Sequence, residues 1–573
     1  MKTKINKGPF IVFVMALPVA ALTPALAQET SDTTRAVQDT SQTVTDTSKS
    51  TEKQLEHFVP VPDRWRSIVP PPYELYVKGK GHNPYYQNPL KGDYPIWGQN
   101  TFLIFTGSLE SFTEVAQVPT PSGVSTTDPN SQKFFGEGER LALLENLKLS
   151  LELYHGQTAF RPRDWELKVT TVLNLNYVNL KENNGVNINV RKGDNRTDHH
   201  IAFQELALEK KLFDLTSRFD FMSLRAGIQR FGSDFRAFIF NDNNLAVRLF
   251  GNYGGNKYQY NFIYFPMLEK ETNSELNTVF DKRDQDVLIA NLYKQDFGVL
   301  GYTAQLSFHY NNDKASTHYD ENGRPVRPAP IGLIRSHQIS AYYLGWAGDG
   351  HFGRININHA LYHVFGDDDF NQIAGRKIDL NAQMAALELS LDKDWMRFKL
   401  SGFYASGDND PLDNKGKGFD AIIDQPFFAG GSFSYWQQQG LGLTGVALVH
   451  KFSFLPSLRT NKLEGQANFV NPGLFLLNVG YEAELTPKLK LLMNVNQLRF
   501  ASTESLEHFL NQPGINNNIG MDYSLGIIYR PFLNNNAIIS FGAAGLTPFE
   551  GFEDIFESTQ TQFSSFLSLA LTY

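Results

Sequence analysis

WELKVTTVLNLNYV, Trp165–Val178, decides the fold. Trp165, Leu167, Val169, Leu173, Leu175 and Tyr177 alternate with Glu166, Lys168, Thr170, Asn174 and Asn176. A strict period of two over this length predicts a strand with one apolar and one polar face. Strands of soluble proteins usually stop near five or six residues. Twelve steps of about 3.3 Å, tilted near 40°, rise roughly 30 Å. That height matches an apolar band bordered by two aromatic girdles. Trp165 and Tyr177 stand at its two ends as the expected girdle residues.

The rhythm repeats on both sides. In NLKLSLELYH, Leu147, Leu149, Leu151 and Leu153 alternate with Asn146, Lys148, Ser150 and Glu152. KYQYNFIYF, RININHALYH and PKLKLLMNVN behave in the same way. Connection lengths test the reading independently, because an outer-membrane barrel pairs short periplasmic turns with long outer loops. Counting back from the end, TPFEGFEDIFEST is long, PFLNNN short, STESLEHFLNQPGINNNIG long and Thr486-Pro487 short. Further up, 392–394 and 297–299 are short, while 181–198, 267–284 and 311–334 are predicted long. The fold class is therefore all-β: a transmembrane antiparallel up-and-down barrel of about 18 strands, within a range of 16 to 20. The range comes from 406–470, where the strand pattern breaks. The last strand, FSSFLSLALTY, must pair with the first, since an open edge is not tolerated in lipid. Its terminal aromatic, Tyr573, is similar to the signal that barrel proteins present to their assembly machinery.

The beginning of the chain predicts export. Lys2, Lys4 and Lys7 precede an apolar run ending in Ala25-Leu26-Ala27. This is the pattern of a signal peptide cut after Ala27. Residues 28–55 are rich in Thr, Ser and Asp and are expected to form a disordered tether. Residues 56–98 are rich in Pro and aromatics and are expected to form a periplasmic extension. The barrel is expected over 99–573.

Composition agrees. There is no cysteine, so disulfides, thiolate metal sites and a lipidated cysteine are excluded. Aromatics reach 13% and charged residues 20%, at a mean hydropathy of -0.32. No basic tract points to nucleic acid. No nucleophile-elbow, zincin or P-loop motif is present, so no enzyme and no cofactor is expected. Gly366–Phe370 and Asp408, Asp410 and Asp413 lack the spacing of a calcium loop and read as solvated acids. Asp198-His199-His200 reads as a surface feature.

A barrel of 16 to 18 strands leaves an aqueous channel. The inward set read from the alternation is Lys148, Lys168, Arg225, Arg248, Arg354, Lys488, Lys490 and Arg530 against Glu152 and Glu166. Such a lumen is expected to pass small hydrophilic solutes and, if basic, to favour anions. The segment 406–440 is weighed both as an ordinary surface loop and as a constriction. In the second case Phe433, Tyr435 and Trp436 offer ring faces to sugar-like solutes.

AGIQRFGSDFRAFIFNDNNLAVRLFGNY, Ala226–Tyr253, resembles the G-R-Q … R … D-G-V-R-L pattern of the alginate-export porin family. Asn471–Phe500 is similar to the C-terminal hairpin of related outer-membrane porins. The resemblance implies a large monomeric barrel with a charged lumen, and Arg236 and Arg248 as lumen residues. Ile228 stands where the family has Arg, and Leu245-Ala246 where it has Asp-Gly, so alginate is not carried over as the substrate. Expected partners are outer-membrane lipid, the barrel assembly machinery and small hydrophilic solutes. Two rival readings stay open. One is a scaffold or sheath for a periplasmic or surface partner. The other is a plugged receptor, although 28–98 is short for a plug domain.

Overall fold

The computed structural model describes residues 88–120, 137–156 and 161–573, apart from the side chain of Phe280. The chain divides into two units, Met1–Val59 and Pro60–Tyr573, and everything described belongs to the second. The expected signal peptide, the tether and residues 56–87 of the extension lie outside the described residues. Among those residues no helix is long and apolar enough to cross a membrane.

Eighteen antiparallel strands close into one barrel. They are β1 Thr101–Gln117, β2 Glu139–His155, β3 Trp165–Leu180, β4 Asn195–Asp214, β5 Phe221–Gly232 and β6 Asn241–Tyr253. Next come β7 Tyr258–Lys270, β8 Asn277–Lys294, β9 Tyr302–Asp313, β10 Ile339–Phe352, β11 Ile355–Asn371 and β12 Arg376–Lys393. The last six are β13 Met396–Ala405, β14 Leu474–Thr486, β15 Leu489–Arg499, β16 Asn518–Tyr529, β17 Ala537–Pro548 and β18 Gln562–Thr572. Each pairs with its sequence neighbour, and β18 returns to β1 in register from Ser108↔Thr572 to Ala116↔Ser564. Closure leaves no wall strand with an unpaired edge, which is the condition for β-structure in lipid.

The outward face is apolar. Leu175, Leu477 and Val479 are 52%, 62% and 63% exposed, and Leu147, Leu149 and Leu151 of β2 are exposed as well. A contiguous apolar surface of this extent has no place in water and marks a membrane-facing wall. Trp165 and Tyr177 share this face at opposite ends of β3.

Long and short connections alternate over most of the chain; 372–375 is short on the long-loop side, and two expected segments need correction. The connection 271–276 is brief because β7 and β8 continue through most of the expected loop 267–284, with two register shifts. The stretch 406–473 adds no hairpin to the wall. Only Lys415–Gly416 joins it, running parallel to the outer end of β12. Residues 88–98 pack against the short-turn end of β1. There Lys91 Nζ donates to the Phe105 carbonyl at 2.9 Å and lies 4.2 Å from the Tyr573 ring centroid.

Gly366 in β11 sits at φ +147°, and a Cβ there would lie 1.9 Å from the Ser340 carbonyl oxygen of β10. Gly366→Ala must push two wall strands apart, at a cost of about 1–3 kcal/mol. We expect a smaller fraction of heat-modifiable, folded barrel on a semi-native gel. Wild-type folding yield would show that the strand pair yields without cost.

Candidate solute path

The interior is shaped by two connections, L3 (233–240) and L7 (406–473). L7 folds into the barrel rather than over it. It carries a small sheet of Leu441–Leu443, Val446–Val449 and Pro456–Arg459. A one-turn helix, Tyr435–Gln438, is capped by the Ser434 side chain, which accepts from the Gln437 N–H. Phe419, Trp436, Phe454 and Phe469 are fully buried there, against inward wall residues such as Tyr343 and Phe403. Burial of this many aromatics is what holds an otherwise irregular segment in place.

Polar anchors tie L7 to opposite sides of the wall. On one side, Tyr435 Oη donates to the Gln117 carbonyl at 2.7 Å, and Glu114 accepts from Gln439 Nε2 at 2.8 Å and from Arg140. On the other, Arg283 of β8 donates to the carbonyls of Leu463 and Gly465 while pairing with Asp313 of β9 at 2.7 Å. Asn371 of β11 reaches Asn468 at 3.1 Å. Between them, the Trp436 N–H meets Asp522 of β16 at 2.6 Å, and Asn496 of β15 donates to the Ala429 carbonyl at 3.1 Å. L7 therefore crosses the lumen. Within it, burial pushes the Asp420 carboxyl up, against Arg459 and two backbone N–H donors. Burial pulls the Lys462 ammonium down, against the pull of Asp424.

L3 meets L7 from β5 and β6. Asp234 organises it by accepting the backbone N–H groups of Arg236, Phe238 and Ile239, and burial raises its carboxyl despite them. This turn aims Arg236 across the lumen. Its guanidinium donates to Glu388 of β12 at 2.7 Å and to the Phe427 carbonyl of L7 at 3.0 Å. Phe238 stacks on Phe403 at 5.9 Å, so wall, L3 and L7 meet at one point.

The inward wall below this junction is a lattice of ion pairs. Lys148 meets Glu110 at 2.6 Å, Lys168 meets Glu205 at 3.0 Å, and Lys490 meets Glu482 at 2.6 Å. Arg225 lies 3.4 Å from Glu209 and 3.7 Å from Glu166. Glu152 and Glu166 both hold Arg163. Arg248 forms no ion pair among the described residues. It donates to Asn261 and lies over Phe231 and Phe250.

Several expectations need correction. The basic lumen does not survive, because Glu110, Glu205, Glu209, Glu388 and Glu482 face these cations. Arg354, Lys488 and Arg530 are in the short turns 353–354, 487–488 and 530–536 rather than on the wall. Tyr435 and Trp436 are 0% and 1% exposed, and Phe433 lies on Phe566 of β18 at 5.4 Å. Tyr435 and Trp436 anchor L7 and offer no open face, while Phe433 is half-buried against the wall. Asp198, His199 and His200, read as a surface feature, are half-buried to exposed on β4. Asp408 accepts the N–H groups of Asp410 and Lys417.

On the long-loop side two cavities flank L7. One, of about 280 Å³, lies between β4–β7, the 271–276 connection and L7. The other, of about 650 Å³, lies at the outer mouth among the 181–194 and 314–338 loops and the Leu441–Val449 hairpin. His450, Lys451 and Thr460 line both.

A closed barrel with an apolar exterior, a polar wall and loops folded into its lumen is a porin-like transmembrane β-barrel. No family model matches the chain, and no curated protein matches it. The alginate-export resemblance thus gains no support. Solved structures with some similarity include OccK9 (OpdG) of Pseudomonas aeruginosa, at 11% identity over 82% of this chain and 98% of that one, TM-score 0.44. A BenF-like porin from Pseudomonas fluorescens Pf-5 is 10% identical over 82% and 98%, TM-score 0.43. OccK2 (OpdF) of Pseudomonas aeruginosa, in complex with glucuronate, is 10% identical over 82% and 97%, TM-score 0.41.

Proposed function

We propose that this chain is an outer-membrane porin through which small hydrophilic solutes diffuse by a narrowed, selective route. The observation that carries this is the junction of Arg236, Glu388 and Phe427 inside a polar-walled barrel. An eighteen-stranded barrel without such loops would be a wide aqueous pore. With L3 and L7 in the lumen, solutes meet a shaped passage instead. The wall is hydrated and its charges are largely matched, so it offers polar contact without a strong net field. The protein acts here by conduction and not by catalysis.

The test is single-channel recording of the refolded protein in a planar bilayer with a salt gradient across it. We expect small discrete openings and a reversal potential near zero, because paired charges select weakly. A strongly anion-leaning potential would restore the basic-lumen reading. A folded barrel with no conductance would mean that L7 seals the lumen, and would favour a plugged receptor or a scaffold.

A further inference from the structure

We infer that the cavity between β4–β7, the 271–276 connection and L7 is a subsite for a neutral, hydroxyl-rich solute of monosaccharide size. The inference rests on the porin reading and names the class of solute that the passage selects.

Size comes first. Sites for drug-sized ligands run from about 300 to 1,000 Å³. At about 280 Å³ this cavity suits a smaller, single-ring solute. Charge comes second. The lining holds five carboxylates against four ammonium or guanidinium groups. Two of the cations are already matched: Lys270 sits 2.6 Å from Asp242, and Lys462 sits 3.5 Å from Asp424. His450 is held neutral by burial and by Arg459 and Lys462 nearby. No net positive field is present to hold an anion.

Unused hydrogen-bonding capacity comes third. Gln204 Nε2, Thr460 Oγ1 and His450 Nε2 are shielded from solvent and make no hydrogen bond among the described residues. All three residues line the cavity. Buried polar groups of this kind are satisfied by ordered water or by a ligand. A hydroxyl both donates and accepts, so a polyol answers an amide N–H, a hydroxyl and a neutral imidazole once these side chains turn toward the cavity. Phe452 and Leu463 add apolar surface for the C–H face of a sugar ring.

The backbone builds this arrangement on purpose. In β4 the register slips between Thr170↔Glu205 and Thr171↔Phe203, leaving Gln204 as an extra, unpaired residue. A bulge of this type bends the strand and re-aims a side chain. Asn243 Nδ2 donates to the Gln204 carbonyl at 3.0 Å and fixes the bulge. The rival solute is an organic anion. Its footholds are Arg230, which forms no ion pair among the described residues, and Lys451, whose ammonium lies over the rings of Phe112 and Phe452, at 5.1 and 5.0 Å.

Two measurements on the full-length folded protein test the inference separately from the porin reading. One is isothermal titration of D-glucose into the detergent-solubilised barrel. The other is interruption of the ionic current by D-glucose in a planar bilayer. We expect saturable binding, concentration-dependent interruptions, and about fivefold weaker affinity for each of Gln204→Ala and Thr460→Val. Semi-native gel mobility certifies folding, and Thr460→Val serves if the bulge variant does not fold. Conductance without glucose binding or interruption overturns the subsite, as does interruption by gluconate alone that is lost in Lys451→Gln. Glucose binding without conductance keeps the subsite and overturns the porin reading.

Discussion

Replacing residues 410–468 with a short Gly/Ser linker should raise single-channel conductance several-fold while a closed barrel persists. Apart from the short pairing of Lys415–Gly416 with β12, the wall does not need this segment for its hydrogen bonds. All eighteen strands pair with their neighbours outside it, and the seam is formed by β1 and β18 alone. What the segment supplies is matter in the lumen: the aromatic cluster around Trp436 and the carbonyls that receive Arg283 and Arg236. Without it the barrel approaches the open bore expected of sixteen to eighteen strands. The variant should also melt at a lower temperature, because the inward Phe403, Leu474 and Leu476 would then face water. A folded variant with unchanged conductance would show that ions bypass L7 altogether.

Arg283→Met should release L7 without removing it. Arg283 is only 2% exposed, pairs with an equally buried Asp313, and supplies the donors for two L7 carbonyls. Breaking a buried ion pair on one side leaves a stranded charge, at a cost of about 3–5 kcal/mol. That cost falls on the anchoring of L7, since the β8–β9 ladder keeps its backbone bonds. The expected readout is protease cleavage within 406–473 in the variant alone, with a noisier open current. Adding Asp313→Leu should recover part of the protection, because an apolar pair of similar bulk strands no charge. Equal resistance of wild type and Arg283→Met would mean that the aromatic cluster alone secures the loop.

The wall was legible because a membrane strand writes its two environments into alternate residues, as β3 does from Trp165 to Tyr177. L7 was harder to read, yet it leaves a trace. β14 opens with Leu474, Phe475, Leu476 and Leu477, apolar on both faces, and only then alternates through Asn478 and Val479. A strand buried on both sides reads as a continuous apolar run. That run marks where the inner face touches packed protein instead of water. β8 carries the same mark at Val287–Ala290. The charge balance of the lumen was not legible. Lys168 finds Glu205 only through the register of β3 and β4, and that register contains the bulge at Gln204. Composition cannot place such a slip, so the cations were visible one by one and their partners were not.

L7 touches β1 through Glu114 and Gln117 and β18 through Phe566, the two strands that meet at the seam. A cylinder closes only when its chain ends find each other, and a segment that holds both shortens that search. Tethering of this kind turns an encounter into a local rearrangement at high effective concentration. The loop that narrows the passage therefore also holds the two closing strands within reach of each other, with Phe433 on Phe566 as one of its handles.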